Sequence, residues 1–265
     1  MLNILGIKKQ LRKIPRLRHL YIYLKGLLQL LTKPILDLLL KFHEANYNMW
    51  DVISTKNAEF LQDADFIRGY EAAQTQEYLH NFDAWKIYIN QWAAQHAMQL
   101  AGDFVECGVY RGRIAMSNMV ATHFEAFPDR RYYLLDTFEG LDRALSTERE
   151  LTQYKFAYPE SYQFVKKSFQ RYSNVRIIKG SVPSTLAQVD TDRVAYLSID
   201  MNTVLPEIKA LEFFWAKLVP GAIVVLDDYA QMCHEHQKHA MDRFAASMGI
   251  KILSLPTGQG ILIKF

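Results

Sequence analysis

A chain of 265 residues, half of them hydrophobic, has enough apolar material for one large core plus an appendage, which excludes a disordered protein. Its 31 Lys and Arg against 28 Asp and Glu leave a net charge of +3, too slight for the electrostatic footprint of a nucleic-acid binder, so no nucleic-acid partner is expected. Cys107 and Cys233 are the only cysteines and lack the spacing of a zinc knuckle or redox pair, which fits a reducing, cytoplasmic setting.

The positive excess sits at the start of the chain, where Lys8, Lys9, Arg12, Lys13, Arg16 and Arg18 occur without an acid. The apolar stretch over 21–40 is interrupted by Lys25, Gln29, Lys33, Pro34 and Asp37, so it reads neither as a membrane span nor as a cleaved signal. Leu24, Leu27, Leu28 and Leu31 recur at helical steps, as do Trp85, Tyr88, Ile89, Trp92 and Ala93, and helices are expected through residue 100. Residues 1–64 are read as a basic, amphipathic helical segment. Two roles stay open for residues 1–40: peripheral contact with the inner membrane face, or packing and dimerisation within a homo-oligomer. Trp85, Trp92, Phe213, Phe214 and Trp215 are expected in the core.

Beyond residue 100 the pattern changes to short, continuous apolar runs at 103–107, 131–135, 175–178, 194–199, 222–226, 250–255 and 260–264. Such runs suit strands covered by helices on both faces. Residues 65–265 are therefore read as one α/β domain, a Rossmann-like, doubly wound seven-stranded sheet whose ligands bind beyond the carboxyl ends of the strands.

The first run ends in Glu106-Cys107-Gly108-Val109-Tyr110-Arg111-Gly112, a turn that lets a ligand approach the backbone at a helix N-terminus. It is not GxGxxG, which disfavours a nicotinamide or flavin enzyme. Cys107, beside Gly108, reads as a packing residue. At the tip of the second run, Asp136 is placed either to bind a nucleoside ribose, with Thr137 and Phe138 beside it, or to cap a helix. After the third, Gly180 and Ser181 could border an adenine edge or form an ordinary turn.

The fourth run ends at Asp200 and the fifth at Asp227-Asp228. Three carboxylates at neighbouring strand tips repel one another unless a cation intervenes. Oxygen-only ligands point to magnesium held by Asp200, Asp227 and Asp228; the alternative is that the acids cap helices or pair with Lys and Arg. Asp200 is assigned as the base. His234, His236 and His239 offer either an alternative base or a solvated cluster, and 142–172 either a substrate lid or a connecting helix.

The stretches VECGVYRG, LLDTFEGL, IIKGSVPSTL, YLSIDMN, VVLDDY and LPTGQGILIKF, in this order over residues 65–265, resemble the macrocin and mycinamicin type of bacterial class I O-methyltransferase, and more distantly catechol O-methyltransferase. The resemblance implies S-adenosylmethionine bound by Glu106, Gly108, Tyr110 and Asp136, with Ser181 near the adenine. It also implies a metal on the acidic tips and a hydroxyl acceptor on a sugar or a glycosylated small molecule; membrane contact by residues 1–40 would make a lipid-linked saccharide the natural acceptor. Two departures stand out. Arg113-Ile114-Ala115 replaces a serine that relatives often offer to the methionine carboxylate, leaving Arg113 or a residue of the N-terminal helices as a substitute, and Asp200-Met201-Asn202 replaces Asp-Gly-Asp, so Asn202 offers a carbonyl oxygen but no base. The competing functions are a metal-independent methyltransferase and a non-catalytic binding protein of the same fold.

Overall fold

The computed structural model describes residues 47–49, 52–76, 84–155 and 157–265. The chain divides into two compact units, Met1–Ala58 and Glu59–Phe265. In the first, β1 (Tyr47–Met49) and β2 (Val52–Ser54) pair antiparallel, with Tyr47 opposite Ser54 and Met49 opposite Val52. A hairpin thus stands where a helix is expected, because the aromatic and β-branched Tyr47, Val52 and Ile53 favour extended backbone and the stretch is too short to show a helical period. The expected role of residues 1–40 lies outside the described residues.

The second unit opens with α1 (Ala64–Gln74), started by Asp63, whose side chain accepts from Phe66 N at 2.8 Å, and α2 (Ala84–Ala97). The seven apolar runs then become β3 (Asp103–Cys107), β4 (Tyr132–Asp136), β5 (Val175–Lys179), β6 (Val194–Ile199), β7 (Leu218–Leu226), β8 (Leu253–Ser254) and β9 (Gly260–Ile263). Between them lie α3 (Arg113–Ala121), α4 (Glu148–Gln153), α5 (Tyr162–Ser168), α6 (Val204–Trp215) and α7 (Glu235–Ser247). The run expected over 250–255 shrinks to two residues, both exposed, since an edge strand has a partner on one side only.

The sheet order is β5-β4-β3-β6-β7-β9-β8, with β9 antiparallel to β7 and the strands from β5 to β7 parallel. Sequence order reverses between β3 and β6, so the crevice of a doubly wound sheet opens at their carboxyl ends. Both faces are covered. Phe104, Tyr132, Tyr196 and Ile223 point to one core with Ala94 and Met119, while Val105, Tyr133, Leu197 and Val224 point to the other with Leu211 and Met241.

One core contains a polar chain. Tyr132 Oη donates to Glu106 Oε2 at 3.0 Å, Asn118 Nδ2 donates to Tyr132 Oη and Tyr196 Oη at 3.3 and 3.1 Å, and Tyr196 Oη donates to Asn90 Oδ1 at 2.7 Å. Gln91 Nε2 on α2 adds a 2.9 Å bond to Ser117 Oγ on α3. These bonds set the rotation of α2, which buries Asn90 and Gln91 and turns Trp92 outward. At 43% exposure, Trp92 departs from the expected core position and stacks on His96 instead; Phe214 is buried, and Trp85, Phe213 and Trp215 are partly buried. Among the described residues no helix is long and apolar enough to cross a membrane.

Candidate active site

A cleft of about 660 Å³ lies at the reversal point. Gly108, Tyr110, Asp136, Thr137, Phe138, Gly180, Ser181 and Asp200 all line it, so seven of the eight residues expected at the cofactor meet there together with the expected base. The eighth, Glu106, is not part of the lining: it is 2% exposed and lies in the polar chain of the core. Burial, with some help from Asp136, pushes its pKa up to about 8 against the opposing effects of Tyr132 and Arg113.

Backbone turns shape the first half of the cleft. Gly108 has φ +91°, and a Cβ there would lie 1.8 Å from the carbonyl oxygen of Asp200, so only glycine lets the tips of β3 and β6 come this close. Asp136 binds the turn: Oδ2 accepts from Val109 N and Tyr110 N at 2.6 and 2.7 Å, and Oδ1 accepts from Phe138 N at 2.6 Å and from Thr137 Oγ1 at 3.3 Å. Tyr110, Phe138 and Asn202, all on the cleft wall, have positive φ without being glycine, a strain that clusters at functional sites. Ser181 Oγ donates to Asp142 Oδ2, which ties the turn after β5 to the segment after β4.

That segment, 142–172, contains α4 and α5 and also reaches the cleft through Asp142 and Tyr158. Its anchors are a capping box between Thr147 and Glu150, a bond from Val204 N to Glu150 Oε1 at 3.0 Å, and one from Ser161 Oγ to Tyr110 O at 2.8 Å. Burial and the charges of Asp200, Asp228 and Asp227 raise the Tyr158 pKa, so its hydroxyl stays protonated and available as a donor.

Charge shapes the second half. Of the three expected metal ligands only Asp200 lines the cleft. Asp227 is bound by Lys86 Nζ on α2, 2.7 Å from Oδ2, and by Gln259 Nε2, 3.1 Å from Oδ1. Asp228 Oδ2 stands 3.4 Å from His234 Nδ1, near enough for electrostatic attraction though not aligned as a hydrogen bond. Asp200 Oδ1 accepts from Asn202 Nδ2 at 3.1 Å, so the asparagine presents its amide, rather than its carbonyl, to the acids. Burial drives the Asp200 and Asp228 pKa values up, and mutual repulsion with Asp227 adds to it; at Asp227 burial acts the same way, but Lys86, with Arg113 and Gln259, holds the carboxyl below its ordinary range. Although burial opposes the charge on Lys86, the carboxylates keep its pKa raised.

The expected magnesium site on Asp200, Asp227 and Asp228 does not fit these residues. Among the described residues no group of three His, Cys, Asp or Glu side chains is arranged to hold a metal ion, and the cation that answers the repulsion is an ammonium already bonded to Asp227. The alternative reading, in which the acids pair with Lys, describes Asp227. Arg113 is also absent from the cleft lining and interacts electrostatically with Glu106 and Asp227. His234 is 6% exposed and bonds Tyr154 Oη through Nε2 at 2.6 Å, whereas His236 and His239 are exposed. Cys107 is fully buried, and burial raises its thiol pKa, as suits a packing residue.

Lys86, Gln259 and Glu207 have no assigned role in the sequence reading. Glu207, in the first turn of α6, accepts from Met201 N at 3.1 Å and Gln237 Nε2 at 3.0 Å and so holds the loop that presents Asp200. Burial, with a contribution from Asp228, pushes its pKa up to about 8.

Comparison with known proteins agrees with this architecture. The 8-demethyl-8-(2,3-dimethoxy-alpha-L-rhamnosyl)-tetracenomycin-C 4'-O-methyltransferase of Streptomyces olivaceus is 30% identical over 139 residues, 49% of this chain and 53% of that protein. The mycinamicin III 3''-O-methyltransferase of Micromonospora griseorubida is 27% identical over 172 residues, 58% of this chain and 68% of that protein. The matches thus span about half to two thirds of the length of these relatives. The solved structure of the O-methyltransferase NovP shares the fold with a TM-score of 0.61 at 19% identity, over 76% of this chain and 88% of that one. The calicheamicin methyltransferase CalS11 does so with 0.58 at 18% identity, over 78% and 93%. Residues 88–253, more than half of the sequence, match the family described as Macrocin-O-methyltransferase (TylF), and the chain belongs to that family.

Proposed function

We propose that this chain transfers a methyl group from S-adenosylmethionine to a hydroxyl of a sugar or glycosylated small molecule. The observation that carries the reading is the meeting of the glycine turn, Asp136 and Asp200 in one cleft at the reversal point of the sheet. The hydroxyl acceptors named for the tetracenomycin and mycinamicin relatives support the acceptor class.

In this reading the donor lies along Gly108, Tyr110 and Asp136, with its adenine toward Gly180 and Ser181. The chain's own donors already reach both Asp136 oxygens, so a ribose hydroxyl binds by displacing Thr137 Oγ1, the longest contact at 3.3 Å. The sulfonium methyl is electrophilic without further activation, and the protein mainly holds the acceptor oxygen in line with the S–CH3 bond. As the new C–O bond forms and the S–C bond breaks, sulfur becomes neutral and the hydroxyl proton passes to Asp200. Burial and neighbouring acids raise the proton affinity of Asp200, which strengthens it as an acceptor once ionised. Tyr158 Oη, on the same wall, is available to orient the acceptor.

Calorimetry with S-adenosylhomocysteine and a turnover assay on glycosylated acceptors test the reading. Asp200→Asn should lower turnover by about 10²–10⁴-fold while leaving product affinity within a few-fold. A wild-type chain that binds no S-adenosylhomocysteine refutes the proposal.

A further inference from the structure

The acids at the tips of β6 and β7 and the cation beside them come from distant parts of the sequence. Lys86 Nζ is 2.7 Å from Asp227 Oδ2 and 3.5 Å from the carbonyl oxygen of the same residue. The pair is largely out of water, with side chains 11% and 17% exposed. The second Asp227 oxygen is engaged as well, by fully buried Gln259, whose own amide oxygen accepts from Thr257 Oγ1 at 3.0 Å. Asn90, one turn after Lys86, donates to the Lys86 carbonyl at 2.9 Å and accepts from Tyr196 Oη on β6, so the backbone that carries the ammonium is tied to the sheet.

A magnesium ion takes oxygen ligands at about 2.1 Å in near-octahedral array. Bound to Asp227 Oδ2, it would stand within about 5 Å of the Lys86 ammonium by the sum of the two contact distances. Like charges so close, in a site poor in water, are weakly screened. Asn202 adds a second obstacle, since its amide group donates into Asp200 where a further carboxylate would draw in a dication.

We propose that Lys86 is the resident cation of this site: it occupies the acidic tips of β6 and β7 in place of a divalent metal, excludes one, and leaves Asp200 as the acid that meets the acceptor. Lys86 is thus a positioning residue that acts through Asp227. The consequence for turnover rests on the methyltransferase reading; the exclusion of metal does not.

The test is a titration of the full chain with manganese(II), with the free ion followed by electron paramagnetic resonance, on the wild type, Lys86→Arg and Lys86→Met. Wild type and Lys86→Arg are expected to take up no manganese at submillimolar concentration. Lys86→Met should gain one site, emptied by excess magnesium, and its melting temperature should rise with either ion. Wild-type turnover should change less than twofold in EDTA. Stoichiometric uptake by the wild type that is lost in Asp227→Asn overturns the proposal, and so does a folded Lys86→Met that takes up no ion. The wild-type arm decides the matter even if Lys86→Met does not fold. Absence of turnover on every acceptor counts against the methyltransferase reading alone and leaves the manganese result standing.

Discussion

On the side of β3, β4 and β5 the cleft is made of backbone: a left-handed Gly108, amide groups converging on Asp136, and a serine hydroxyl closing the turn after β5. On the side of β6 and β7 only Asp200 and Asn202 reach the cleft, and behind them lies charge: two more carboxylates, one ammonium and the amide of Gln259. The first side depends on shape and fails when an atom is added. The second depends on balance and fails when a charge is removed, but recovers when its partner is removed too.

The ion pair gives the largest expected effect. Lys86→Met and Asp227→Asn each leave a buried charge without its partner and should cost about 3–5 kcal/mol in urea unfolding, while the double variant should recover most of that loss. If the two losses simply add, the second side is not built on charge balance. Next comes Gly108→Ala, whose Cβ would strike the Asp200 carbonyl oxygen at 1.8 Å; a loss of about 3 kcal/mol or more is expected, together with loss of S-adenosylhomocysteine binding in calorimetry. Gly249→Ala is the control, at φ +69° with nothing within 4 Å of the added carbon, and should cost only about 1–2 kcal/mol. Equal losses at the two glycines would remove the argument from shape.

The effect that is smallest at any one step is a slope with pH. Glu207, with its pKa lifted by burial to about 8 from an ordinary 4.5, keeps its proton in the fold where the unfolded chain has lost it. Its contribution to stability is therefore fully present below pH 4.5 and is lost as pH rises toward about 8, by up to about 1.4 kcal/mol per unit. Glu207→Gln should remove that component, so unfolding free energies of wild type and variant measured from pH 5 to pH 8 should diverge steadily. Parallel curves would show that Glu207 is ionised in the fold.

The strands from β3 to β7 were legible because parallel strands covered on both faces read as unbroken apolar runs, whereas their order in the sheet is set by contacts between distant segments. The turns were legible for the same local reason: Gly108 and Asp136 belong to short contiguous motifs whose geometry goes with them. Lys86 was not, since it meets Asp227 across 141 residues of sequence and nothing within either neighbourhood signals the pairing. Adjacent acids signal mutual repulsion but not which group answers it, and the ammonium that bonds Asp227 comes from another part of the chain. The hairpin at β1 and β2 was hidden by its brevity, and Trp92 was misplaced because the buried face of α2 is marked by Asn90, Gln91 and small alanines rather than by large apolar groups.

The hydroxyls and amides threaded through the sheet's interior also act as an alignment gauge. Sliding α2 by one residue would strand Asn90 and Gln91 together, away from Tyr196 and Ser117, and each orphaned group costs about 1–3 kcal/mol in a dry interior. A greasy interface of the same size tolerates such a slip far more easily. The ammonium four residues before Asn90 is therefore delivered to the same spot each time the chain folds.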